Sequence, residues 1–158
     1  MLIQPYNPAM RTRPRATALI IRPDPIPALL VYFHPDITRG LYCLGGGIDP
    51  DEDPFVCVCR EIHEECGLDA SALTFVRKLD VIRYCKPRIA LNVERHDFVF
   101  LAPPGLPKQW SHVITLSKDE DNGLTHRMEW VTRADLARVH PEFQDRITPE
   151  WLPELFQC

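Results

Sequence analysis

Four glutamates stand close together in one short, glycine-rich stretch of this 158-residue chain. Three of them follow a single arginine within five positions, and the fourth precedes it by eight; the five residues are Glu52, Arg60, Glu61, Glu64 and Glu65. Carboxylates this close repel one another unless a positive charge neutralises them. The usual partner of such an all-oxygen set is a hard divalent cation. The spacing therefore predicts a metal site.

The segment after Asp53 is expected to form the helix that positions these carboxylates. Asp53 is a favourable N-cap, Pro54 suits the first turn, and Gly67 fits a left-handed helix end. At helical spacing one apolar stripe would dock on the core; its members are Phe55, Val58, Cys59, Ile62 and Cys66. The glutamates at 61, 64 and 65 fall on the adjacent stripe, because residues three and four apart share a face.

Gly45, Gly46 and Gly47 precede the helix and give the backbone freedom to approach a phosphate chain closely. We expect these glycines to bind substrate beside the metal. Arg60 is expected to pair with a carboxylate such as Glu52 and to hold the loop against the helix.

The complete stretch from Gly46 to Leu68 resembles the Nudix box, G-x5-E-x7-R-E-U-x-E-E-x-G-U, where U is a bulky aliphatic residue. Every specified position is met. One departure is Asp51, where many relatives have glycine, although aspartate tolerates a positive φ better than most residues. The resemblance implies an α/β fold, a Nudix-type α/β/α sandwich with a mixed sheet. It also implies Mg²⁺, or Mn²⁺ in its place, on Glu61, Glu64 and Glu65, with Glu52 as a further ligand.

The resemblance further implies hydrolysis of a nucleoside diphosphate linked to another group X, by water attack on one phosphorus. A carboxylate would accept the proton of that water. Glu65 or Glu64 is the first candidate for this base, and Glu120, in an acidic loop, is the next. The sequence identifies neither X nor the phosphorus attacked, and it does not decide the oligomeric state, although the resemblance suggests a possible homodimer.

Other polar and aromatic residues are weaker candidates for the substrate cleft. Glu94 alternates with Asn92 and His96 on one strand face and could line the cleft, or it could belong to a solvated surface. Trp110, among polar residues, is a candidate for stacking on a base, whereas Trp130 suits the core. Tyr84 lies at a spacing similar to a tyrosine of dinucleoside-polyphosphate-cleaving relatives, although an aromatic on a strand is more often packing.

Two rival functions remain beside the hydrolase. One is a catalytically silent Nudix-fold module that binds or senses a nucleotide, and the other is an isomerase on the same fold. Silent modules usually lose carboxylates of the box, and all of them are present here. The complete box therefore favours the enzyme.

The length of the chain indicates one domain spanning 1–158, with 1–15 as an N-terminal lead-in. A net charge of −4 argues against a nucleic-acid polymer as partner, and Arg11, Arg13 and Arg15 are expected to be a solvated approach to the first strand. The sequence shows no signal peptide and no apolar run long enough to span a membrane. A reduced, cytoplasmic protein is therefore expected. The six cysteines lack the spacing of a zinc site.

Short elements are expected along the chain, because apolar runs alternate with proline- and glycine-rich turns. Besides the box helix, the predicted strands are 16–22, 28–33, 41–44, 73–84, 89–101 and 127–131. A closing helix is predicted over 149–156, and 34–40 is predicted to be a loop.

Overall fold

The structure is a computed structural model that describes residues 4–34, 37–117 and 122–157, with the side chains of 37–39 left out. Nine strands are present among them: β1 (Arg11–Arg22), β2 (Ala28–His34), β3 (Ile37–Tyr42), β4 (Leu44–Gly47), β5 (Thr74–Lys78), β6 (Ile82–Lys86), β7 (Leu91–Leu101), β8 (Gln109–Val113) and β9 (Thr125–Thr132). The helices are α1 (Pro54–Cys66) and α2 (Pro153–Phe156). Short 3₁₀ segments cover Ala70–Ala72, Pro87–Ile89, Arg133–Arg138 and Pro141–Phe143.

The nine strands form one mixed sheet in the order β5-β7-β1-β2-β9-β8, with β3 beside β2, β4 beside β1 and β6 beside β7. Only β1 and β7 run parallel, and their register extends from Arg11 opposite Leu91 to Ile21 opposite Leu101. The other pairs are antiparallel. The predicted mixed sheet of an α/β protein is confirmed.

Two cores form on the opposite faces of the sheet, because successive side chains of a strand point to opposite sides. Ala16, Ala18 and Ile20 of β1 face α1. Leu19 and Ile21 face the C-terminal segment, which covers the second face with 3₁₀ turns and α2. α1 and the C-terminal segment are thus the outer layers of the sandwich.

A buried ion pair fastens the C-terminal segment to the sheet. Arg95 is 1% exposed, and its Nε and Nη2 donate to the two carboxylate oxygens of Asp97 at 2.8 and 3.0 Å. Its Nη1 donates to the carbonyl oxygen of Glu142 at 2.5 Å. The 3₁₀ segment that carries Glu142 is therefore fixed to β7.

Several element boundaries differ from the sequence prediction. β1 begins at Arg11 rather than at residue 16, because the parallel partner β7 supplies its backbone hydrogen bonds. The predicted strand 73–84 is two strands, β5 and β6, and the predicted loop 34–40 contains most of β3. The closing helix is only the four residues of α2, and β8 is an additional strand. None of the described helices is long and apolar enough to cross a membrane.

Candidate active site

The helix α1 has the termini that its sequence predicts. The Asp53 Oδ1 accepts hydrogen bonds from the backbone N–H of Phe55 at 2.8 Å and of Val56 at 3.3 Å. Gly67 ends the helix with a φ of 78°. In the turn before the helix, Asp51 adopts the predicted positive φ, 63°. Both ends of the helix, and thus the positions of its glutamates, are fixed by local sequence.

Arg60 is the centre of the acidic cluster. Its Nε and Nη2 donate to the two carboxylate oxygens of Glu52, both at 2.9 Å. Its Nη1 donates to Glu61 Oε1 at 2.9 Å and to Glu64 Oε2 at 3.2 Å, and Nη2 also donates to the Gly47 carbonyl at 3.2 Å. The expected pairing with Glu52 is present, and one planar guanidinium joins the loop to the helix.

The two remaining contacts join the box glutamates to the glycines. Glu65 Oε2 accepts a hydrogen bond from the backbone N–H of Gly45 at 2.9 Å. The Glu61 carboxylate lies directly against Gly46, with its atoms 2.3 to 2.7 Å from the position a Cβ would take. Gly46 is therefore required for the close approach of Glu61.

Exchange of Gly46 for alanine is expected to move this carboxylate and to weaken metal binding by about 10-fold or more, because outer contacts that orient a ligand have effects of this size. The melting temperature should change little, because the displaced group is the mobile end of a side chain and Gly46 has no positive φ. Titration calorimetry with Mg²⁺ and thermal unfolding measure the two effects. Unchanged Mg²⁺ affinity in Gly46→Ala would show that Glu61 is not a ligand.

Burial shapes the electrostatics of the cluster. Glu61, Glu64 and Glu65 are 6, 7 and 5% exposed. Burial raises the pKa of Glu61 to about 7, against the opposing charge of Arg60 and with added repulsion from Glu64. Hydrogen bonds from Arg60 lower the pKa of Glu52 to about 2. The Arg60 guanidinium thus stabilises the ionised form of Glu52, but it does not offset the cost of burying the charge of Glu61.

This donor set fits a hard divalent cation, since three buried carboxylates with a single adjacent arginine need further positive charge. Among the described residues, no three acidic, histidine or cysteine side chains already converge on one point. Arg60 Nη1 holds the carboxylates of Glu61 and Glu64, whereas Glu65 turns to Gly45. Metal ligation by these residues and by Glu52 stays a prediction.

A cleft opens beside the acidic cluster because β1 and β2 diverge. They pair only at Ile21–Leu29 and Arg22–Ala28; beyond that, β4 takes the place next to β1 and β3 the place next to β2. A cavity of about 280 Å³ lies here, and its lining includes Arg15, Tyr32, Tyr42, Lys86, His126 and Glu142. This volume is close to the lower end of small-ligand pockets, roughly 300 Å³.

The cleft has an aromatic wall. The rings of Tyr32 and His126 stack with centroids 4.2 Å apart and an interplanar angle of 13°. Burial lowers the pKa of His126 to about 4, and repulsion from His34 acts in the same direction. The His126 ring is therefore neutral near pH 7, and the wall is a flat, uncharged surface suited to an aromatic ring.

Glu142 is a cleft carboxylate that no motif of the sequence indicates. The Tyr84 hydroxyl and the Lys86 Nζ both donate to its Oε1, the latter at 2.8 Å. Burial opposes its ionisation, but the charge of Lys86 and these hydrogen bonds lower its pKa below the ordinary value. Glu142 lies 77 residues after Glu65, so only the fold brings it to the cleft beside the acidic cluster.

The other candidates lie elsewhere. Glu94 pairs with Arg83 and His96 and does not line the cleft. Trp110 donates from Nε1 to the Cys66 carbonyl at 3.0 Å and borders a separate cavity of about 440 Å³. The Tyr84 side chain is 1% exposed, and its hydroxyl donates to Glu142. Asn92 is buried, and its amide donates to the carbonyl oxygens of Asn7 and Met10. Glu120 lies between 117 and 122, outside the described residues.

Comparison with known proteins supports the fold and the family. A MutT NUDIX hydrolase from Burkholderia pseudomallei superposes with a TM-score of 0.60 at 20% identity, covering 87% of this chain and 99% of that chain. An Ap4A hydrolase from C. elegans superposes with a TM-score of 0.55 at 15% identity, covering 92% of this chain and 94% of that chain. A UDP-X diphosphatase superposes with a TM-score of 0.57 at 18% identity, covering 96% of this chain and 64% of that chain. A search of curated proteins gives no match.

At these identities the structural likeness establishes the fold alone. The family follows from the sequence, because the model of the NUDIX domain matches residues 11–153. Members of this family that are hydrolases act on pyrophosphate bonds and generally use a divalent metal. The chain belongs to the Nudix family.

Proposed function

We propose that the protein hydrolyses the diphosphate linkage of a nucleoside diphosphate joined to a second group. The observation that carries this proposal is the juxtaposition of the buried box glutamates with a cleft that has cationic and aromatic walls. Diphosphate is anionic and nucleobases are flat, so the two halves of the site complement the two parts of such a substrate.

Each part of the site has a role in this proposal. Glu61, Glu64 and Glu65 would hold Mg²⁺, with Glu52 kept beside them by Arg60. When bound, Mg²⁺ neutralises phosphate charge and lowers the pKa of attacking water. Glu65 or Glu64 would accept a proton from that water. Arg60 organises the loop and the carboxylates rather than contacting the substrate.

Structural neighbours guide the choice of substrates for the test. Their names include Ap4A hydrolase and UDP-X diphosphatase. A panel should therefore contain dinucleoside polyphosphates, uridine diphosphate conjugates, other nucleoside diphosphate sugars, ADP-ribose and nucleoside triphosphates, each with and without Mg²⁺. Product identification by mass spectrometry in ¹⁸O-water would show which phosphorus is attacked.

The expected result is metal-dependent release of a nucleotide product from at least one class. Nucleotide binding without turnover of any member would instead favour a silent binding module. Homodimer formation and a cytoplasmic location stay predictions, and light scattering in solution tests the first.

Mg²⁺ is expected to stabilise the folded protein, because it would bind the assembled glutamates and not the unfolded chain. At 100 times its Kd the stabilisation is about 2.7 kcal/mol. For a chain of this size, that corresponds to a rise in melting temperature of roughly 5–10 °C. Differential scanning fluorimetry with MgCl₂, MnCl₂ and NaCl at equal ionic strength provides the measurement. If Glu61→Gln and the unaltered protein show the same shift, the metal binds somewhere else.

A further inference from the structure

Two arginines near the start of β1 lie beside the glycine turn of the site. Arg13 and Arg15 are inside the strand, where β7 pairs with them in parallel. Because alternate residues of a strand share a face, both side chains project to the same side of the sheet. The predicted lead-in is therefore part of β1 itself; Arg13 is exposed to solvent, as predicted, whereas Arg15 is partly buried.

Arg13 packs on the backbone of Gly47. Its Nη2 and Nε lie 2.8 and 3.1 Å from the point that a Cβ of Gly47 would occupy. Arg60 donates to the carbonyl of the same glycine. Gly47 is thus in contact with two guanidinium groups, and the absence of a side chain lets Arg13 approach this closely.

Arg15 lies between the acidic cluster and the cleft. Its Cα is the direct strand partner of Gly47, and its side chain lines the cleft. Its charge acts on Glu61 of the cluster and on Glu142 of the cleft. The positive charge of Arg15 therefore acts on a carboxylate of the acidic cluster and on a carboxylate of the cleft.

Among the residues that the structure describes, no close contact neutralises the charge of Arg15. No hydrogen bond and no ion pair within 4 Å joins it to any residue in the described part of the chain. The Glu142 carboxylate of the same cleft is held instead by Lys86 and Tyr84. A partly buried arginine without a partner pays a desolvation cost that an anion would offset, and guanidinium binds phosphate in a two-pronged geometry.

We propose that Arg15 binds the diphosphate of the substrate directly, with Arg13 beside it as a second cation, so that the diphosphate lies between these arginines and the box glutamates. This inference rests on the proposed function, because it assigns the group that holds the scissile diphosphate. The glutamates and their metal would act from the α1 side, and Arg15 from the cleft side. Arg15 is thus a specificity residue for diphosphate and Arg60 is not.

Binding of two non-hydrolysable probes tests the proposal without relying on turnover. Methylenediphosphonate with MgCl₂ reports on the diphosphate subsite alone, and α,β-methylene-ADP adds a nucleoside. Titration calorimetry is performed on the unaltered protein, Arg15→Ala, Arg15→Lys and Arg138→Ala. Arg138 is an exposed arginine paired with Glu129 at the surface, so its exchange removes the same charge away from the cleft.

Arg15→Ala is expected to weaken binding of both probes by about 10- to 100-fold, the usual effect of losing a hydrogen bond between charged groups. Arg15→Lys should recover part of the affinity, because it keeps the charge but loses the planar geometry. Arg138→Ala should stay within about 2-fold of the unaltered protein. Thermal unfolding without ligand verifies that the variants are folded. If Arg15→Ala does not fold, the affinity of Arg15→Lys still tests the proposal.

Unchanged affinity in both Arg15 variants would overturn the proposal, and so would failure of the unaltered protein to bind either probe. Adenosine, which lacks phosphate, is titrated as a third ligand. Equal loss of adenosine binding and of probe binding in Arg15→Ala would also overturn the proposal, because Arg15 would then shape the cleft rather than bind phosphate. Failure of the proposed function is separately visible. In that case Arg15-dependent probe binding persists while no substrate of the panel is hydrolysed.

Discussion

Exchange of Glu64 for glutamine is expected to lower kcat by about 1,000-fold or more on whichever substrate the panel identifies, because removal of preorganised charge at a reacting centre has effects of this order. Glutamine keeps the shape of the side chain but removes the charge that would face the metal. Glu65→Gln should have an effect of similar size. In both variants Mg²⁺ should no longer raise the melting temperature as it does in the unaltered protein.

A matched control separates this effect from general destabilisation. Glu154 is also held by an arginine, Arg77, but lies in α2 on the opposite layer of the sandwich. Glu154→Gln should therefore lower stability without lowering kcat. Near-normal turnover in both Glu64→Gln and Glu65→Gln would mean that the box glutamates do not form the catalytic centre.

Loss of Arg60 is expected to reduce stability and activity together. Its guanidinium contacts Glu52, Glu61 and Glu64 at once, and Arg60→Ala would leave buried carboxylates without a cation. Breaking such a pair costs about 3 kcal/mol, the lower end of the range for buried pairs, since the Arg60 side chain is 26% exposed. For a chain of this size that corresponds to a fall in melting temperature of roughly 6–12 °C.

Arg60→Lys should recover only part of this loss, because lysine cannot reproduce the two parallel hydrogen bonds to Glu52. Chemical denaturation and steady-state kinetics on the same preparations measure both quantities. Millimolar Mg²⁺ should offset part of the destabilisation, since it would supply the missing positive charge. If Arg60→Ala instead keeps its melting temperature and changes only KM, Arg60 binds phosphate and the bracing role assigned to it is incorrect.

The local part of the site could be predicted from the sequence because it depends on residues close together in the chain. Asp53, Pro54 and Gly67 fix the ends of α1, and helical spacing then places the glutamates on one side. Arg60 pairs with Glu52, which is only eight residues earlier in the turn before α1. Short-range geometry of this kind does not depend on the rest of the fold.

The cleft could not be predicted in this way. Arg15, Lys86 and Glu142 come from three distant segments, and each looks like an ordinary surface charge in its own stretch of sequence. The parallel pairing of β1 with β7 converts the basic start of the chain into a strand beside the glycine turn. Trp110 and Glu94 are candidates by residue type alone, and their strands direct them to other contacts.

The sequence by itself determined the family and the helix with its acidic face, because a motif of fixed spacing encodes one continuous loop and helix. It also predicts the residues that would hold a metal. Only the tertiary structure decided what surrounds that motif. The divergence of β1 and β2 opens the cleft, and the buried pair of Arg95 and Asp97 brings the C-terminal segment with Glu142 into it. The cleft thereby brings together residues up to 127 positions apart, Arg15 and Glu142, and no local pattern encodes such a distance.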